Sequence, residues 1–165
     1  IDIIPEIALK LKESGIDFAW SIIGNGPMQT LLKEKAKKYG IEDELLIEGE
    51  IDNPYPYFKD CDIYLQPSRY EGYCITVAEA RMFCKPIVAT DFAGASEQLE
   101  DGKCGKIVRF GIDSFADGII DVINNPELRK RYKDGLAKQK IDTTDTISVL
   151  TDFFKSTLKN QDENK

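Results

Sequence analysis

Ile63-Tyr-Leu-Gln-Pro-Ser-Arg-Tyr-Glu-Gly-Tyr-Cys-Ile-Thr-Val-Ala-Glu-Ala-Arg-Met-Phe-Cys-Lys-Pro-Ile-Val-Ala89 reads as a short apolar run, a glycine-containing loop, a helical pattern and a second apolar run. The two runs, at 63–66 and 86–89, have strand length, and the stretch between them is long enough for a helical crossover. The same alternation continues outward. On the N-terminal side lie a helical pattern carrying Ile4, Ile7, Ala8 and Leu11, a buried strand over 17–23, a helix over 28–39 that stops at Gly40, and a strand over 45–48. On the C-terminal side a strand over 106–109 precedes a wholly helical region: 112–124, a helix starting near Pro126, and an amphipathic stretch over 144–158. Strands alternating with helices imply right-handed βαβ crossovers and a parallel sheet covered on both faces. The predicted fold class is α/β, a Rossmann-like doubly wound parallel sheet.

The chain opens inside a helix, whereas a doubly wound sheet normally opens with a strand. We therefore expect residues 1–140 to form a Rossmann-like domain lacking its first strand, followed over 141–165 by a C-terminal helix and a frayed polar tail. On this reading the chain is the C-terminal part of a longer protein.

Composition narrows the chemistry. At 165 residues the chain is large enough to bury one core without disulfide or metal support. The formal net charge of −7 argues against a broad electrostatic surface for nucleic acid or anionic lipid, so any phosphate site has to be local. No apolar run approaches the ~20 residues that span a bilayer. There is no histidine, which removes Ser-His-Asp triads, Cys-His dyads and His-based metal sites from this chain. Cys61, Cys74, Cys84 and Cys104 show no Cys-x-x-Cys spacing and read as reduced thiols, pointing to a cytoplasmic setting.

In an open parallel sheet, ligands bind beyond the carboxyl ends of the strands. Three loops there look specialised. Gly24-Asn25-Gly26-Pro27 lets backbone turn tightly and approach a ligand, although the same sequence also serves as an ordinary βα turn. Glu48-Gly49-Glu50-Ile51 offers backbone groups of the kind that read a base edge. The third loop carries Glu71 and runs into a helix holding Glu79. A helix N-terminus offers free N–H groups and the positive end of the macrodipole to a phosphate, and a nearby carboxylate accepts from sugar hydroxyls. The competing reading is architectural: Thr76-Val-Ala-Glu79 fits the capping box, with Thr76 as N-cap.

These motifs resemble the nucleotide-sugar-binding domain of GT-B glycosyltransferases, specifically glycosyltransferase family 4, and the resemblance covers nearly the whole chain. It rests on the Gly-x-Gly-Pro turn, the Asn53-Pro-Tyr segment, Cys61-Asp-Ile before Pro67-Ser-x-x-Glu-Gly, and Glu71-x7-Glu79. Lys85-Pro-Ile-Val-Ala-Thr-Asp91 and Glu97-x-x-x-Asp-Gly-x-x-Gly105 continue the pattern. The resemblance implies the C-terminal half of a GT-B fold, the donor-binding part of a retaining glycosyltransferase of the polysaccharide-biosynthesis type. The donor would be a nucleoside-diphosphate sugar, with no metal and no other cofactor. Glu79 would bind the ribose hydroxyls, Glu71 would orient the donor sugar as the catalytic-site carboxylate, and Gly72, Tyr73, Cys74 and Ile75 would present N–H groups to the diphosphate beside Thr76. Ile51 would meet the base, and Gly24, Asn25 and Gly26 would line the ribose and phosphate side. The partner would be an N-terminal acceptor domain of the same protein, which leaves peripheral association with the inner face of a membrane open for the full-length protein.

Two departures stand out. Many relatives carry Gly where this chain has Cys74, so the side chain is expected to narrow the phosphate pocket. The Arg and Lys that similar proteins place on the diphosphate would lie ahead of Ile1. Asp60-Cys-Asp62 resembles a metal-binding Asp-x-Asp, but it sits at the start of a strand, away from the carboxyl-end crevice, and reads as a solvated turn. A nucleotide-sugar epimerase of related fold and a flavodoxin- or receiver-like binding module remain as alternatives.

Overall fold

A computed structural model describes residues 1–139; the amphipathic stretch over 144–158 and the polar tail lie outside them. Among the described residues seven helices and five strands follow one another: α1 (Ile4–Glu13), β1 (Trp20–Ile23), α2 (Gln29–Tyr39), β2 (Leu45–Gly49), α3 (Tyr55–Asp60), β3 (Tyr64–Gln66), α4 (Ile75–Met82), β4 (Ile87–Thr90), α5 (Ala95–Gln98), β5 (Lys106–Val108), α6 (Ile112–Asn124) and α7 (Pro126–Lys138). All strand pairing is parallel. The α/β class and the alternation read from sequence are both present.

One feature differs from the expected single sheet. The strands form two ladders, β1 with β2 and, separately, β3-β4-β5. Trp20 and Gly24 donate their amides toward the β2 side, to Glu44 and Gly49 at 2.7 Å each, while Tyr64 donates to Pro86 at 2.8 Å. The inner edges of β1 and β3 face a groove.

Two apolar cores lie on opposite faces. The first joins Ile4, Ile7, Ala8 and Leu11 of α1 to Phe115, Ala116, Ile119 and Val122 of α6, with Trp20, Ile22 and Val88 from the strands. That spacing puts each set on one helical face, which is why α1 and α6 lie against each other. The second core gathers Phe58, Cys74, Val77 and Ala80 around Ile87, Ala89 and Phe92. Because side chains alternate along a strand, Val88 enters one core while Ile87 and Ala89 enter the other.

Helix α7 packs closely on the turn before β5. A Cβ on Gly135 would stand 2.4 Å from the Lys103 carbonyl oxygen and 3.2 Å from Cys104 Sγ. Gly135→Ala is therefore expected to destabilise by about 1–3 kcal/mol through overpacking, despite a helix-propensity gain of about 1 kcal/mol; urea denaturation measures the balance. A net gain in stability would mean that α7 is not seated on that turn.

Ahead of α1, Asp2 pairs with Arg69 at 2.6 Å. The Arg69 guanidinium holds the Asp2 carboxyl below its ordinary range. A carboxyl depressed in the folded state stabilises above its unfolded pKa and loses that contribution as pH falls through the folded value. For this partly exposed pair the difference between wild type and Asp2→Asn is expected to be about 0.2–1 kcal/mol at neutral pH. It should fade from about pH 4 downward, as followed by thermal melts across pH.

Candidate functional site

The loop between β3 and α4 is held from three sides. The fully buried Thr90 hydroxyl, at the end of β4, donates to the Ser68 carbonyl at 2.5 Å and lies 3.3 Å from that of Gln66. A Cβ on Gly94 would come within 3.3 Å of the Gly72 carbonyl oxygen, so the turn before α5 presses on the loop. Gln98, 2% exposed, donates Nε2 to the Cys74 carbonyl at 3.4 Å.

Within this frame Glu71 is oriented by its neighbours. Its Oε1 accepts from Gln66 Nε2 at 3.0 Å and from Ser68 Oγ at 2.7 Å. Gln66 is itself fixed, because its Oε1 accepts from the Tyr64 hydroxyl at 2.5 Å and from Thr76 Oγ1 at 3.4 Å. Burial pushes the Tyr64 phenol well above its ordinary pKa, which keeps it a donor. Among the described residues nothing donates to Glu71 Oε2, leaving one oxygen of a well-positioned carboxylate for a ligand.

The start of α4 corrects one expectation. The N-cap is Cys74, and no side chain caps the first turn. Thr76 instead lies inside that turn, its hydroxyl directed to Gln66, and Glu79 accepts from the Tyr55 hydroxyl at 3.4 Å. The capping box does not form, because Gln66 and Tyr55 offer both side chains other partners. The Cys74 side chain packs in the second core at 6% exposure. Burial raises the thiol pKa, so Cys74 stays neutral and is a poor nucleophile.

Glu71, Gly72, Tyr73, Cys74, Ile75 and Thr76 line one open cavity of about 450 Å³. Glu71, Thr76 and Glu79 also face the groove between the two ladders, about 1150 Å³ in volume. The structure thus brings both glutamates and the start of α4 together. Gly24, Asn25 and Gly26 are exposed beyond β1, and Ile51 follows β2; none of the four lines either cavity. The Gly24 amide donates to the Gly49 carbonyl at 2.7 Å with Gly24 at φ 129°, so a glycine is required where these two loops meet. Asp60 ends α3 and Asp62 precedes β3, at the opposite end of that strand from Glu71.

Gln66, Ser68, Tyr55 and Gln98 were not foreseen as site residues. A polar residue closing an otherwise apolar strand marks Gln66, and Ser68 stands three residues before Glu71. Tyr55 and Gln98 act through tertiary contacts without local signal. No Lys or Arg lines the 450 Å³ cavity among the described residues. The nearby Arg69 is engaged by Asp2 and lies over the Phe110 ring at 4.3 Å.

The family model described as "Glycosyl transferases group 1" matches residues 1–139. The chain belongs to the group 1 glycosyltransferases. Among curated members it is similar to the alpha-D-kanosaminyltransferase of Streptomyces kanamyceticus, 30% identical over 80% of this chain and 35% of the relative. It is also similar to the poly(ribitol-phosphate) alpha-N-acetylglucosaminyltransferase of Staphylococcus aureus, 25% identical over 91% of this chain and 31% of that protein. The chain thus spans about a third of the length of these group 1 relatives. The fold matches the crystal structure of TarM with a TM-score of 0.83, at 24% identity, over 94% of this chain and 32% of that one. It likewise matches Anabaena HepE in complex with UDP, with a TM-score of 0.80 at 19% identity, over 93% of this chain and 44% of that one. The neighbours are GT-B glycosyltransferases, so the Rossmann-like class holds.

Without a capping box, Glu79→Ala is expected to change stability by no more than about 0.5 kcal/mol, as for an ordinary surface substitution. A loss of about 1 kcal/mol or more in chemical denaturation would show that Glu79 does close a cap in solution.

Proposed function

We propose that this chain is the donor-binding, C-terminal part of a family 4 glycosyltransferase that moves a sugar from a nucleoside-diphosphate sugar to a hydroxyl acceptor with retention of configuration. The observation that carries this reading is the shared cavity in which Glu71 stands beside the backbone at the uncapped start of α4. A diphosphate placed there meets N–H groups of the Gly72–Thr76 segment and the positive end of the α4 dipole. The oxygen of Glu71 left free by Gln66 and Ser68 accepts from a donor-sugar hydroxyl, and Glu79, held by Tyr55, accepts from the ribose. The HepE structure contains UDP, which supports a uridine nucleotide as the first to try.

In this mechanism the chain stabilises negative charge on the departing diphosphate while the sugar acquires oxocarbenium character. Glu71 orients the sugar, and no protein nucleophile is invoked. The Gly24, Asn25 and Gly26 loop borders the ribose and phosphates, and Ile51 meets the base through its backbone once the ligand bridges the two loops. The acceptor and the cations on the diphosphate come from an N-terminal domain of the longer protein. The proposed setting is the cytoplasm, in polysaccharide biosynthesis. Among the described residues no helix is long and apolar enough to cross a membrane.

Calorimetric titration of the full-length protein with UDP, GDP, ADP and their sugar conjugates tests the reading. One nucleotide should bind selectively, and Glu79→Ala should weaken it at least tenfold, about 1.4 kcal/mol. Unselective binding, or binding indifferent to Glu79, would contradict the assignment. Acceptor-dependent release of nucleotide is expected from the bound donor, whereas interconversion of the sugar without transfer would identify an epimerase.

A further inference from the structure

The side chain of Gln66 uses all the hydrogen-bonding capacity of a primary amide. Its Oε1 accepts from the Tyr64 hydroxyl at 2.5 Å and from Thr76 Oγ1 at 3.4 Å, and its Nε2 donates to Ser68 Oγ at 2.8 Å and to Glu71 Oε1 at 3.0 Å. Its footing is rigid. The Gln66 main chain pairs with Ala89 in the β3–β4 ladder, and the buried Thr90 hydroxyl lies 3.3 Å from its carbonyl. Tyr64, two residues earlier on the same face of β3, stacks on Phe58 with ring centroids 5.5 Å apart.

The direction of these bonds is decided at both ends. Burial keeps the Tyr64 phenol protonated, so it offers a proton to Gln66 Oε1. At the other end, turning the amide over would set its carbonyl against the Glu71 carboxylate. Ser68 is aimed as a consequence. A hydroxyl has one proton, and because Gln66 Nε2 donates to Ser68 Oγ, that proton is turned to Glu71 Oε1, 2.7 Å away. Gln66 thus governs both bonds to Glu71, one directly and the other by orienting Ser68. It does not itself line the 450 Å³ cavity; it bears on that cavity through Glu71 and through Thr76 in the first turn of α4.

We infer that Gln66 is a positioning residue for sugar transfer, which sets the Glu71 carboxylate against the donor sugar and registers it with the first turn of α4. The inference rests on the donor-site reading proposed above and adds a division of labour to it. Nucleotide affinity comes from Glu79 and the α4 amides, whereas alignment of the sugar depends on Gln66. Without that amide, Glu71 keeps only an unaimed hydroxyl beside it and its carboxylate takes up other rotamers, so the sugar is held less often in the reacting geometry. The loss falls on kcat and leaves nucleotide binding in place.

Gln66→Met, close to glutamine in size but without its hydrogen bonds, tests this in the full-length protein. The readouts are UDP affinity by calorimetry and release of UDP from UDP-glucose, UDP-galactose and UDP-N-acetylglucosamine. With whichever of these the wild type turns over fastest, kcat should fall roughly tenfold, while UDP affinity stays within about threefold. Gln66→Asn, which keeps an amide but is one methylene too short to reach Glu71, should show the same loss if Gln66→Met does not fold. In a Glu71→Ala background, Gln66→Met should cost no more than about twofold, since residues that act through one another are not additive. Equal losses in both backgrounds, an unchanged kcat, or a parallel loss of UDP affinity overturns the inference. Failure of the donor-site reading looks different: Glu71→Ala itself would turn over the sugar nucleotide as fast as wild type, and the inference would fall with it. NMR of the wild type tests the contact with no donor present. The Gln66 Nε2 protons should show NOEs to the Ser68 β-protons; NOEs to the Thr76 methyl in their place would put the carbonyl against Glu71 and overturn the inference.

Discussion

Burial of β4 on both faces is the constraint from which the rest of the domain is hung. Ile87, Val88, Ala89 and Thr90 are all fully buried. Val88 ties the strand to the α1 and α6 core, and Ile87 and Ala89 tie it to the α3 and α4 core. Thr90, last in the strand, would be costly to bury without partners, and it finds them in the carbonyls of Gln66 and Ser68. Packing at the centre of the sheet is thereby transmitted as a hydrogen bond to the loop that carries Glu71. The geometry of the Glu71 loop and the core are one mechanical unit at this point.

The electrostatic character of the site follows from what surrounds that loop. Glu71 is a carboxylate bound by two neutral donors, so it is oriented without being neutralised, and its second oxygen keeps its capacity to accept. The start of α4 offers dipole and amides, with the Cys74 thiol folded away into the core. The guanidinium carried by that loop, Arg69, is spent on Asp2 and the Phe110 ring. A phosphate placed there, as the proposed function has it, would meet preorganised but formally neutral donors.

Much of the fold was legible because the strands and helices carry clean periodicity. The helices over 112–124 and from Pro126 coincide with α6 and α7, and Gly40 does close α2. The strands β1 and β3 are shorter at their amino ends than the apolar runs 17–23 and 63–66, since apolar residues such as Phe18 and Ile63 pack against the core without joining a ladder. The separation into two ladders was not legible, because pairing between strands is non-local. At the site, the motif singled out Glu71 and Glu79 but misjudged Thr76 as a helix cap. Local sequence favours a Thr cap, and only tertiary structure supplies Gln66 and Tyr55 as competing partners; likewise the side to which Cys74 turns is set by the apolar pocket around Val77 and Phe92.

The central claim is that Glu71, Glu79 and the uncapped start of α4 form one nucleotide-diphosphate site. Chemical-shift mapping of the ¹⁵N-labelled full-length protein during addition of UDP tests it residue by residue. The account predicts that the amides of Gly72, Tyr73 and Ile75 shift together with those around Glu79, and that the shifts disappear in Glu79→Ala. Shifts confined to other loops, with the 72–75 amides unmoved at saturating nucleotide, would contradict it.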